Sequence, residues 1–156
     1  MSQIERWRSM VGERSERVWN VVERGAVRKF AEAIGDPNPL YVDEAAAKGS
    51  RYGALVSPPT FPRTFEYGEI RGMGWPEGGM LHGEHRIEYR GGPLRVGEEI
   101  YCFTELKDYY EKESRGGLLG FVVVERSGET PAGERRFTMQ DVAVVTPALR
   151  RTLENE

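Results

Sequence analysis

Seven residues, Gly35 to Tyr41, read GDPNPLY and set a carboxylate, an amide and a phenol on one proline-broken loop. Such a set could handle a proton, with Asp36 as base, Asn38 orienting it and Tyr41 as proton donor. The same residues also build an ordinary turn, because Asp and Asn bond their own backbone and proline fixes φ. A second group lies in LHGEH, where His82 and His85 stand three apart. Strand alternation sends them to opposite faces, which argues against a joint metal site, while His82 alone could stand in as a base. Cys102, between Tyr101 and Phe103, reads as a small buried apolar residue and not as a nucleophile.

The rest of the composition narrows the chemistry further. A chain of 156 residues is long enough to bury one core without disulfides or metal. Its 22 Lys and Arg are scattered among 25 Asp and Glu, a net charge of -3, which argues against nucleic acid as the partner. With two histidines and one cysteine, neither a metal nor another cofactor is expected. No apolar run approaches the roughly 20 residues of a membrane span, and the charged beginning lacks the apolar centre of a signal peptide, so a cytoplasmic protein is expected.

These candidates need elements to position them. Ile4, Trp7 and Met10 suggest a short amphipathic helix ending at Gly12, and RVWNVV a strand. Val27, Phe30, Ala31 and Ile34 have the spacing of one buried helical face, over Glu23 to Ile34. Asp43 is placed to cap a short helix through Lys48, followed by Gly49. A second, longer helix is expected from Ser57 as N-cap, with Pro58 in its first turn, through to about Ile70. After the glycine-rich loop RGMGWPEGGM come four β-rich runs, HRIEYR, EEIYCFTELKDYYEK, GLLGFVVVERS and RRFTMQDVAVV, separated by GGP, RGG and GETPAG. The order predicts an α+β domain with helices on one face of an antiparallel sheet. Residues 1–146 read as one domain and 147–156 as a frayed C-terminal tail.

Two stretches, ERGAVRKFAEAIGDPNPLYVDEAAAKGSRYGALVSPPTF and MLHGEHRIEYRGGPLRVGEEI, resemble the N-terminal, FAS1-like dehydratase domain of the MaoC-like proteins, over roughly Ile4 to Val145. That resemblance implies the hot-dog fold, an antiparallel sheet wrapped around a long central helix. It also implies (R)-specific hydration of an enoyl thioester, or the reverse dehydration, on acyl-CoA or acyl-carrier-protein substrates, with no cofactor. In catalytic members the loop reads Gly-Asp-x-Asn-Pro-x-His. Gly35, Asp36, Asn38 and Pro39 match it, and Tyr41 stands where the histidine belongs. A phenol with a pKa near 10 is only about 0.1% ionised at neutral pH and makes a poor base.

The resemblance therefore implies an acyl-binding half, working as a homodimer or with a homologous partner that carries the full loop. Pro39, Thr60, Phe61, Phe65 and His82 are the expected substrate contacts. Pro58 and Pro59 would remove two backbone donors at the start of the long helix, leaving those of Thr60 and Phe61. Other readings remain open: a self-sufficient hydratase using Asp36, a hot-dog thioesterase using Glu66 or Glu69, and a non-catalytic acyl-thioester-binding dimer.

Overall fold

Alternating apolar positions in the β-rich runs bury one face of a sheet, and the computed structural model, which describes residues 1–156, shows that sheet. It is antiparallel throughout, in the order β1-β3-β4-β5-β2. The strands are β1 (Val18–Val21), β2 (Met80–Tyr89), β3 (Glu99–Ser114), β4 (Gly117–Glu129) and β5 (Arg135–Val145). Ile100, Cys102 and Leu106 of β3, Val122 and Val124 of β4, and Phe137, Met139 and Val145 of β5 are all buried on the same concave face. Gly128 faces the same way, and the ring of Phe137 and the side chain of Ile100 occupy the space a Cβ there would need.

Helices cover the two ends of that face. At one end α1 (Gln3–Ser9) is held by a capping box between Ser2 and Glu5, and it buries Ile4 and Trp7. At the other, α2 (Arg24–Ala33) buries Val27 and Ala31, whereas Ile34, expected on the same face, is the C-cap and 47% exposed. Then come α3 (Pro39–Val42) and α4 (Glu44–Lys48), the latter capped by Asp43 as the sequence indicates. The core falls accordingly into two clusters. One gathers Ile4, Trp7, Ile70, Met73 and Leu106, and the other Val22, Phe61, Tyr67, Phe137 and Met139.

Two expectations fail. No helix runs from Ser57 to Ile70, where the regular structure is a single 3-10 turn, Phe61–Thr64. Pro62, past the first turn, removes a donor such a helix would need and its ring would crowd the carbonyl four residues earlier, and Gly68 has φ +71°, which is left-handed. Ser57 does not act as a cap: its N–H donates to the Leu94 carbonyl and its buried hydroxyl has no partner. The sheet thus curls over Phe61 and Tyr67, two buried rings on irregular backbone, in place of a continuous helix. The second failure is at the C-terminus, where residues expected to fray form α5 (Pro147–Glu154). Thr146 caps it, and Leu153 is 3% exposed in the cluster with Ile4 and Trp7. One apolar residue per turn suffices here because α1 and β4 already offer the matching surface.

Candidate functional site

Gly35, with φ +71°, ends α2 and turns the chain so that the Asp36 N–H donates to the Ala31 carbonyl at 2.9 Å. The Asp36 side chain is exposed and makes no hydrogen bond within the chain. Asn38 is not positioned to orient it. Its Oδ1 accepts from the Leu40 N–H at 3.0 Å, so Asn38 is the N-cap of α3, with Pro39 in the first turn. Tyr41 is half-buried at the edge of the second cluster, near enough to Tyr89 for the two phenols to influence each other. Burial, then the negative charge of Asp36, then Tyr52, push the Tyr41 phenol above the usual tyrosine range.

The predicted substrate contacts separate in space. Pro39 and Thr60 lie at the surface. Phe61 is 2% exposed, packed edge-on against Phe30 at 5.6 Å and Phe65 at 5.4 Å between ring centres, so it is core and offers no ligand surface. Its N–H is also engaged, donating to the Pro58 carbonyl at 3.0 Å. Phe65 is half-buried against Phe61 and Phe137, whereas Asp36 lies near enough to Tyr41 to act on its phenol. His82 lies elsewhere, on the concave face of β2.

There the register corrects the parity argument. A bulge at Gly83, between His82 and Glu84, inserts one residue, so His82 pairs with Ala143, His85 pairs with Asp141, and both rings face inward, 6.5 Å apart. Both approach Asp141. His85 Nδ1 is 2.8 Å from Oδ1 and His82 Nε2 is 3.9 Å from it. Arg126 Nη1 donates to Oδ2 at 2.8 Å, and Arg63 Nη1, from the 3-10 turn, lies 3.3 Å from Oδ1.

Burial alone would raise the Asp141 pKa, but the His85 hydrogen bond and the Arg126 and Arg63 guanidinium groups outweigh it and hold the carboxyl below its ordinary value. An ionised carboxylate can only accept, so Nδ1 of His85 carries a proton in this contact. Arg63 Nη1 is 2.9 Å from the same Nδ1, and with that nitrogen protonated its bond goes to Asp141. Buried His85 Nε2 has no partner.

The sequence reading missed this cluster, although its signal was present. Arg126 lies in register with Thr104 on β3, and Asp141 with Val124 on β4, so both charges occupy inward positions of otherwise apolar strands. Strict alternation through GLLGFVVVERS and RRFTMQDVAVV marks them as the polar residues on the wrong side.

The fold has counterparts among known proteins. The ChsH1-ChsH2 complex from Mycobacterium tuberculosis superposes with TM-score 0.71 at 21% identity, over 91% of this chain and 88% of that one. The HadBC (3R-hydroxyacyl-ACP dehydratase) complex of the same organism superposes with TM-score 0.66 at 21% identity, over 86% and 96%. The fold is thus the α+β hot-dog fold of the MaoC-like dehydratases. A UPF0336 protein of Thermobifida fusca (strain YX) is 35% identical over 130 residues, covering 80% of this chain and 82% of that protein. The family model for the FAS1-like dehydratase domain region matches residues 9–139, and the chain belongs to that family.

Proposed function

We propose that this chain is the acyl-binding half of a MaoC-like hydratase/dehydratase acting on acyl-CoA or acyl-carrier-protein thioesters, paired with a homologue whose loop carries both Asp and His. In hydration, water gives its hydroxyl to C3 of a 2-enoyl thioester and a proton reaches C2; dehydration reverses both steps. The base that takes the proton from water must be free at neutral pH. The observation that carries the reading is Tyr41, a phenol at the histidine position whose pKa is raised further by burial and by Asp36. An imidazole from a partner chain would supply what Tyr41 lacks.

The sheet supports such pairing. β2 is an edge strand with β5 as its only neighbour, so its outer row of N–H and C=O groups is free to extend the sheet into a second domain. Two of the structural relatives are complexes, one of them a 3R-hydroxyacyl-ACP dehydratase. A second reading is a self-sufficient homodimer with Asp36 as base and Tyr41 as proton donor. It is favoured by Asp36 lying near enough to Tyr41 to perturb it.

Hydration of crotonyl-CoA and of a longer enoyl-CoA, followed by loss of the enoyl ultraviolet band, separates the two. Activity is expected only when the chain is mixed with a homologue carrying the full loop, and it should survive Tyr41→Phe. Brisk turnover by the chain alone, lost in Asp36→Asn, would overturn the pairing and establish the homodimer.

A further inference from the structure

Without a long helix over it, the concave face of the sheet is roofed by irregular chain, and two adjoining cavities remain beneath. Their volumes are about 360 and 270 Å³, and Trp75, Val124 and Arg126 line both. The first runs under Ile70 and Met73, and the second ends on Arg63, His82 and Asp141. Each is close to the lower end of the range for small-molecule sites. The apolar stem of the groove is the wall formed by Ile70, Met73 and Trp75; exposed Glu69 and buried Thr104 also line the first cavity, and the far end of the second is charged.

The charge at that end is unbalanced. Asp141 is the one carboxylate lining the second cavity, and two guanidinium groups share it. Both use Nη1 for this contact, and neither Nε nor Nη2 of Arg63 or Arg126 makes a hydrogen bond within the chain. Five donors in a planar fork match a carboxylate's two oxygens, so the unused edges are suited to a second carboxylate beside Asp141. An inorganic anion would satisfy that end and leave the apolar stem unfilled, whereas an alkyl carboxylate fills both.

We propose that this groove binds a fatty-acid-class ligand, its chain along Ile70, Met73 and Trp75 and its carboxylate on Arg63 and Arg126. The site goes beyond the hydratase reading, since it uses no residue of the GDPNP loop and requires neither a partner chain nor turnover.

Trp75 is 52% exposed and lines both cavities, which makes it a natural reporter. Decanoate, decanol and acetate are titrated by tryptophan fluorescence and by calorimetry into the full chain. Decanoate should bind saturably at one site, about 10-fold more tightly than decanol, with acetate silent. Arg63 is about half exposed and shares Asp141 with Arg126, so Arg63→Met should lower the melting temperature modestly, leave the chain folded at the titration temperature, and weaken decanoate about 10-fold and decanol hardly at all. Trp75→Phe should remove the fluorescence change and keep the calorimetric heat. Equal binding of decanoate and decanol, full decanoate affinity in Arg63→Met, or a fluorescence change that persists in Trp75→Phe would each overturn the proposal.

Discussion

His85 and Asp141 face each other across β2 and β5, with Nδ1 of the ring 2.8 Å from the carboxylate, on the side of the sheet that is otherwise its apolar floor. Burying a carboxylate there is tolerable only because Arg126 and Arg63 share it. Asp141→Asn should therefore cost stability. Both arginines are partly exposed, so the expected loss is about 2 kcal/mol, below the range for a fully buried pair. The sign with pH follows from the lowered carboxyl pKa. The stabilisation is complete above the unfolded value of about 4 and is lost as pH falls through the folded one. Urea unfolding of the native chain and the variant should show the gap at pH 7 closing in acid. A gap that widened in acid would contradict the assignment.

Gly128→Ala tests the packing of the second cluster. The added methyl would overlap the Phe137 ring and lie 2.8 Å from Ile100 Cγ2. Phe137 cannot swing away, because Phe65, Tyr67 and Tyr89 stand 6.1 to 6.4 Å from it on other sides. A loss of about 3 kcal/mol is expected by denaturant unfolding, since overpacking forces rotamer and backbone shifts. A neutral result would mean that the ring has free space.

Cys102 should be chemically silent. Burial pushes its thiol up to about 12, with a hydrogen bond from Asn20 opposing, so almost no thiolate exists at neutral pH. A disulfide reagent such as DTNB should leave the folded chain unmodified at pH 8 and titrate one thiol in denaturant. Rapid reaction in the native state would show that the inner face of β3 opens readily.

Leu153→Ala asks whether α5 belongs to the domain. Leu153 is 3% exposed against Ile4 and Trp7, so the substitution should cost about 2 to 3 kcal/mol. Thermal melting within a degree of the native chain would show instead that the C-terminal helix contributes nothing.

The four long strands and their antiparallel sheet are legible, because each run alternates with period two between turn signals, whereas the order β1-β3-β4-β5-β2 appears only in the fold. The failures have separate physical causes. Between Ser57 and Ile70 the aromatic content imitates a buried helix, while Pro62 and left-handed Gly68 forbid one. At His82 and His85 the spacing implies opposite faces only for an unbroken ladder, and one bulged residue at Gly83 inverts it. α5 has too few apolar residues to announce itself, and its place is decided by a surface on α1 that only the fold assembles. At the candidate site, Asp36 and Tyr41 were recognisable from the loop. The Arg63, Arg126, Asp141 and His85 cluster draws on four elements that no local motif connects.

The prolines and glycines between Ser57 and Gly79 have a consequence for motion as well as for shape. The strands beneath are laddered along their length, whereas this roof holds one short turn and few internal amide bonds. Its amides should trade hydrogen for deuterium well before those of β3 and β4, through local breathing that leaves the floor intact. A guest could then slip under Ile70 and Trp75 without the sheet unzipping, and the floor would stay the same while the cover slowed around it.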